Sequence, residues 1–190
     1  MADLPERERE ESEVTDDSRR DLLTGLMNDR GFEDELDRAV AFARRYSDSA
    51  AVVALDVDGF AGLNDVLGRA AADVLLQQVA DALRGSLRGT DVVARLDGDK
   101  FAVILNRTGA PDSVRIAEKL RAVVEMVGTA VGSPTRATVS IGVADIAPGT
   151  SLVGADVLQM AYNAVSESKA AGRNRVTYAG QTPAPTSRPD

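Results

Sequence analysis

The stretch Val92–Leu105, VVARLDGDKFAVIL, decides the fold. Two apolar runs meet at one polar bend, and Asp97-Gly98 is a dipeptide that type I′ hairpin turns favour. The reading is a β-hairpin, DVVARL and KFAVIL joined at Asp97-Gly98. Asp97, Asp99 and Lys100 crowd three charges around that bend. Upstream, SAAVVALDV (49–57) is a short apolar run with the character of a buried strand, and AAADVLLQQVADALRGSL (70–87) has helical periodicity with Val74, Leu75, Val79 and Leu83 inward. Downstream, PDSVRIAEKLRAVVEMV opens on Pro111 as an amphipathic helix, and RATVSIGVAD is a strand rich in β-branched residues. From residue 50 to 143 the order is therefore β-α-β-β-α-β, the split βαβ pattern of ferredoxin-like folds.

The flanks extend this core. NDRGFEDELDRAVAFARRY places Phe32, Leu36, Ala39/Val40 and Ala43 on one helical stripe. ADVLQMAYNAVSESKAAG is a helix closed by Gly172, and NRVTYA is a last strand. The fold class is α/β (α+β), a mixed sheet covered by helices, with an extra helix and strand beyond the core. Residues 1–20 are charged and nearly devoid of apolar side chains, so they read as a disordered acidic arm, with helix formation near Ser18 to Leu23 as the local alternative. Residues 21–180 form the domain, and the Pro-rich 181–190 are a loose tail.

Composition narrows the chemistry. The 190 residues carry a net charge of −8, which argues against a nucleic-acid-binding surface. There is no Cys and no His, which excludes disulfides, thiolate metal sites, Ser-His-Asp catalysis and nearly all zinc chemistry. Carboxylates, Lys, Arg, hydroxyls and an oxygen-held cation remain. No apolar run spans a membrane and no signal core opens the chain, so the expectation is a cytoplasmic protein.

Asp56 and Asp58 close the first buried strand on one face, where carboxylates are costly unless solvated or paired with a cation. If the 97–98 turn lies beside them, Asp56 and Asp99 could hold Mg²⁺. From spacing alone, loop carboxylates or caps are the preferred reading. Lys169 and Arg173, four apart at a helix end, suit polyphosphate, but taken alone a basic helix end interacting with its own dipole is the preferred reading. Arg88 and Asp91 in RGTD suit a phosphate or a guanine edge, or an ordinary loop ion pair.

Taken together, DLLTGLMNDRGF, LDVDGFAGLNDVLG, RGTDVVARLDGDKFAVIL, SIGVA and SKAAGRNRV resemble, in order and spacing, the GGDEF (diguanylate cyclase) domain family over about 160 residues. The resemblance implies the fold of nucleotide cyclase and polymerase palm domains, and condensation of two GTP into cyclic di-GMP by paired domains using Mg²⁺ or Mn²⁺. It assigns Asp56, the Val57 carbonyl and Asp99 to the metal, Asn64 and Asp73 to guanine, Lys169 and Arg173 to the terminal phosphates, and Arg88 and Asp91 to an inhibitory cyclic di-GMP site. The signature itself is Asp97-Gly98-Asp99-Lys100-Phe101, with Asp97 where the family has Gly and Lys100 where it has an acid. Ala61 stands in place of a phosphate-contacting Lys, Arg69 of a His, Ala72 of a Gly and Asp29 of an Arg.

These departures set the expectations. Asp97 brings negative charge toward the triphosphate, and two unit charges 4 Å apart interact by about 4 kcal/mol at an effective dielectric of about 20. Asp97 turned into water costs less. Lys100 changes the local charge by two units, and its ammonium could pair with Asp56, Asp58 or Asp99 and take the metal's electrostatic place. The expectation is a degenerate domain, impaired in catalysis, that binds cyclic di-GMP or GTP as a regulatory protein, with a homodimer or a protein partner open. The alternatives are an active or slow cyclase and a nucleotide-free interaction module.

Overall fold

The computed structural model describes residues 18–130 and 137–181. The acidic arm through residue 17 and the tail from 182 lie outside the described residues. Ser18 to Leu23 is turn and bridge rather than helix: Arg20 bridges Met27, and Asn28 donates its backbone N–H to Arg19 O (2.8 Å) and its side-chain amide to Ser18 O (2.9 Å). The same Asn28 caps the first helix by accepting from Gly31 N (3.0 Å).

In chain order the elements are α1 (Asp29–Tyr46), β1 (Ala50–Val57), α2 (Phe60–Leu67), α3 (Arg69–Ser86), β2 (Val92–Asp97), β3 (Lys100–Asn106), α4 (Asp112–Ala130), β4 (Val139–Ile146), α5 (Gly154–Ala170) and β5 (Val176–Gln181). The sheet order is β2-β3-β1-β4-β5, with antiparallel pairing except between β4 and β5. β3 lies between β1 and its partner β2, which is the split βαβ arrangement. The crossover from β1 to β2 contains two helices. The short α2 reads in sequence as part of the loop after LDVDG, because eight residues broken by Gly62 and bounded by Gly59 and Gly68 carry little periodic signal.

β1 is buried along its whole length. Ala51, Val53, Leu55 and Val57 face a core built with Leu75, Leu76, Val79 and Leu83 of α3 and Leu120 and Val124 of α4. Ala50, Val52 and Ala54 face a second core with Phe32, Leu36, Val40 and Ala43 of α1 and Val157, Ala161 and Val165 of α5. A strand covered on both faces reads as a continuous apolar run rather than an alternating one. On α3 the expected inward Val74 is 45% exposed, and Leu76 instead joins Leu75, Val79 and Leu83 on the buried stripe.

The hairpin forms with a displaced turn. Asp97 pairs with Lys100, so Gly98-Asp99 are the central residues and Asp97 ends β2. Gly98 has φ 49° and Asp99 is not among the positive-φ residues, which is the signature of a type II′ turn and not of I′. Arg95 pairs with Phe101, leaving Leu96 as a bulge that re-aims the turn. Arg95 then fixes it, donating Nε–H to Gly98 O (2.8 Å) and reaching Asp21 (3.1 Å). Burial raises the Asp21 carboxyl, but hydrogen bonds from Thr24 and Arg95 outweigh it and hold the group below 3.8.

α5 approaches β4 most closely at Gly142, where an added Cβ would lie 2.0 Å from Ala161 O and 2.6 Å from Val165 N. Gly142→Ala is expected to lower stability by about 1–3 kcal/mol, by overpacking against backbone that cannot swing aside. Gly62→Ala meets nothing within 4 Å inside α2 and is expected to add up to about 1 kcal/mol through helix propensity. Urea unfolding of both variants checks this; equal effects contradict the packing.

Candidate nucleotide and cation site

The end of β1 and the hairpin turn form one cluster. Asp56 sits opposite Lys100 on β3 and Ser140 on β4, and Val57 N–H donates to Asp99 O (3.1 Å). Asp56 is 6% exposed. Lys169, in the last turn of α5, puts Nζ 2.6 Å from Asp56 Oδ1. The contact is an ion pair without hydrogen-bond alignment, so that buried oxygen has no donor directed at it among the described residues.

Lys100 does not make this contact. Its Nζ pairs with Asp97 Oδ2 at 3.8 Å, and the Asp97 side chain is 82% exposed. The two residues that depart from the signature thus face each other at the mouth of the turn. The reading that Lys100 pairs with Asp56, Asp58 or Asp99 in the metal's place is corrected: Lys100 stands opposite both Asp97 and Asp56 in the sheet, but its ammonium turns to Asp97, and it is Lys169 that reaches Asp56. Asp97 turned into water is the arrangement found.

Asp58 is no free ligand either. It accepts from Thr138 Oγ (2.7 Å), Ser140 Oγ (2.6 Å) and Asn174 N (3.1 Å), tying β1 to β4 and to the turn before β5. Sequence reading passed over these three partners; Thr138 and Ser140 flanking Val139 at a strand start were the available signal. Arg173 lies beyond the end of α5 at φ 62°, after Gly172 at φ 113°, so it does not share a helix face with Lys169. The turn, hung on Asp58 through Asn174 N, positions Arg173 instead.

Asn64 and Asp73 stand on either side of Gly68, where α2 meets α3. Both are half-buried, and neither side chain has a partner among the described residues. In the 88–91 turn, Arg88 N–H donates to Asp91 Oδ2 and Asp91 N–H to Arg88 O, each at 3.0 Å. Asp91 Oδ1 is buried without a partner, and the exposed Arg88 guanidinium has none among the described residues.

Burial, and next the charge of Asp56, push the Asp99 carboxyl above 3.8, against the opposing charges of Lys169 and Lys100. Tyr162 on α5 is pushed up to about 12 by burial and by the charges of Asp29, Asp56 and Asp97. Two carboxylates that repel, one of them met by a single ammonium, fit an oxygen-coordinated cation such as Mg²⁺. Among the described residues no third acid joins them.

The chain is similar to known proteins in sequence and fold. The family described as "Diguanylate cyclase, GGDEF domain" matches residues 18–175. Diguanylate cyclase TpbB of Pseudomonas aeruginosa is 38% identical over 71% of this chain and 32% of its own length. The response regulator PleD of Caulobacter vibrioides is 34% identical over 82% of this chain and 35% of its own. Among solved structures, the coiled coil and GGDEF domain of DgcB from Caulobacter crescentus, in complex with c-di-GMP, superposes with TM-score 0.84 at 32% identity, covering 93% of this chain and 94% of that one. The diguanylate cyclase SiaD of Pseudomonas aeruginosa, in complex with its activator SiaC, gives 0.80 at 27% identity over 93% of this chain and 70% of that one. The chain belongs to the GGDEF diguanylate cyclase domain family. It spans about a third of the length of TpbB and PleD.

The Asp99 shift has a consequence for stability. A carboxyl whose pKa is raised by folding favours the native state at low pH, and that contribution is lost as pH rises through the folded-state value. Asp99→Asn removes the charge that folding disfavours. Its melting temperature is expected to exceed wild type at pH 7 and to converge on it near pH 3, where the wild-type Asp99 carboxyl is largely protonated in the folded and the unfolded chain alike. Thermal unfolding at the two pH values checks this; the same difference at both contradicts it.

Proposed function

We propose that this domain is a nucleotide-binding regulatory module of cyclic di-GMP signalling, binding cyclic di-GMP at Arg88 and Asp91 and holding GTP only with impaired turnover. The observation that carries the reading is the 88–91 turn: Arg88 N–H to the Asp91 carboxylate and Asp91 N–H to Arg88 O preset it, and among the described residues the Arg88 guanidinium has no partner and buried Asp91 Oδ1 no donor. The guanidinium suits a phosphate and the carboxylate a guanine amino group.

For GTP, Asn64 and Asp73 offer unpaired polar groups to the base, and Lys169 and Arg173 offer cations to the outer phosphates. Asp56 and Asp99, with the Val57 carbonyl, would hold Mg²⁺ or Mn²⁺, which when bound neutralises phosphate charge and polarises the reacting groups. Lys169 takes part in two states, paired with Asp56 in the empty site and available to phosphate once a cation neutralises Asp56. The impairment lies at Lys100, where no carboxylate stands to accept a proton from an attacking hydroxyl. A second reading, a working cyclase, is favoured by one observation: Asp97 and Lys100 pair with each other in water, leaving Asp56 and Asp99 uncovered by either.

Two measurements separate these readings. Calorimetry with cyclic di-GMP is expected to give micromolar or tighter binding that Arg88→Ala abolishes; no binding by the wild type contradicts the receptor reading. Incubation with GTP and Mn²⁺, followed by mass spectrometry, is expected to give little cyclic dinucleotide, with Lys100→Glu raising the yield by about tenfold or more. Rapid wild-type turnover abolished by Asp99→Ala would establish the cyclase instead.

A further inference from the structure

Arg173 reaches the site from a turn of uncommon backbone. Gly172, Arg173 and Asn174 follow one another at φ 113°, 62° and 45°, and the last two carry side chains in the left-handed region. Such a backbone persists only where its surroundings over-determine it. The main chain is held at three points. Arg173 N–H donates to Ser168 O (3.0 Å), Arg175 Nε–H to Arg173 O (3.2 Å), and Asn174 N–H to Asp58 Oδ2 (3.1 Å). The Arg173 side chain is exposed and has no partner among the described residues, so the turn sets where its guanidinium can reach.

A fourth hold comes from α4, a helix that supplies none of the site residues described above. Arg121 is half-buried between two acids of its own helix, with Nε 2.9 Å from Glu118 Oε2 and Nη1 3.0 Å from Glu125 Oε2. The same Nη1 donates to Asn174 Oδ1 (2.7 Å), and Asn174 Nδ2 donates to Glu125 Oε1 (3.3 Å). Arg121, Glu125 and Asn174 thereby close a ring in which the carboxamide accepts at one end and donates at the other. Pairs three and four apart are ordinary on a helix surface. The contact that leaves the helix is the informative one. It also crosses the sheet, since α4 packs on the core with α3 and α5 on the core with α1.

We propose that Arg121, together with Glu125, is a positioning residue for Arg173: by fixing the Asn174 carboxamide it holds the 172–174 backbone and aims the Arg173 guanidinium at the outer phosphates of a nucleoside triphosphate. Arg121 touches no ligand itself. The assignment rests on the reading that Arg173 meets the terminal phosphates of GTP, and deepens it by naming what orients that cation.

Titration of a fluorescently labelled GTP in Mn²⁺ tests this as a double-mutant cycle, with thermal unfolding verifying that each variant is folded at the titration temperature. Arg173→Ala is expected to weaken binding by about tenfold or more, as loss of a charge-assisted phosphate contact does. Arg121→Met and Asn174→Gly are each expected to weaken it by about three- to tenfold. Gly keeps the left-handed backbone open to residue 174, so that variant removes only the carboxamide. In the Arg173→Ala background both are expected to weaken binding no further, because the group they position is gone. Glu118→Gln is expected to match the wild type, since Glu118 pairs with Arg121 without touching the turn. Binding that needs Arg173 but is unchanged in Arg121→Met and Asn174→Gly overturns the positioning role and leaves the phosphate reading standing. A loss that recurs at full size in the Arg173→Ala background also overturns it, because Arg121 then acts on the site as a whole. Binding unchanged in Arg173→Ala, or absent from the wild type, overturns the phosphate reading and the positioning role together.

Discussion

Everything in this domain is built around a strand that ends in acid. β1 is covered on both faces, so its apolar residues fix the register of β3 and β4, and Asp56 and Asp58 are carried into the interior margin at its end. Charges placed there must be partnered. The fold supplies two different answers. Asp58 receives three hydrogen bonds and becomes a structural knot. Asp56 receives only the ammonium of Lys169 and stands next to Asp99, whose carboxyl it pushes upward. One carboxylate is satisfied by three hydrogen bonds; the other is met by a single ammonium.

That difference alters the meaning of the divergent signature. A lysine in place of an acid beside two metal-type carboxylates invites the conclusion that it substitutes for the cation. The pairing geometry does not support it. Lys100 starts β3 between Asp97 and Asp56, and its ammonium turns to Asp97 at the rim, where an exposed ion pair contributes little to stability. The pair leaves the carboxylates uncovered, and the cation that approaches them comes from α5. What differs is the charge at the rim, while Asp56 keeps its place at the strand end and Asp99 its place at the turn.

Much of this was legible in the amino-acid order. The β1 run, the hairpin and the helices bearing Phe32 or Leu83 follow from periodicity, and the family resemblance named Asp56, Asp99 and Lys169, which the fold brings close to one another. What escaped has physical causes. α2 is too short and glycine-rich to carry a period. Asp97-Gly98 suggested a turn one residue early, because the Leu96 bulge that shifts it is a tertiary feature fixed by Arg95. Lys169 and Arg173 look like an i, i+4 pair, yet the helix stops between them. Which lysine meets Asp56 is a question of approach across the sheet, and no spacing along the chain encodes it.

The central claim is that Asp56 and Asp99 remain a cation site that Lys100 does not occupy. Electron paramagnetic resonance of Mn²⁺ titrated with the protein and GTP tests it directly. The account predicts GTP-dependent loss of the free Mn²⁺ signal in the wild type, abolished by Asp56→Asn and little changed by Lys100→Ala. Binding that is absent in the wild type and appears in Lys100→Ala would contradict it, because Lys100 would then be filling the cation's place.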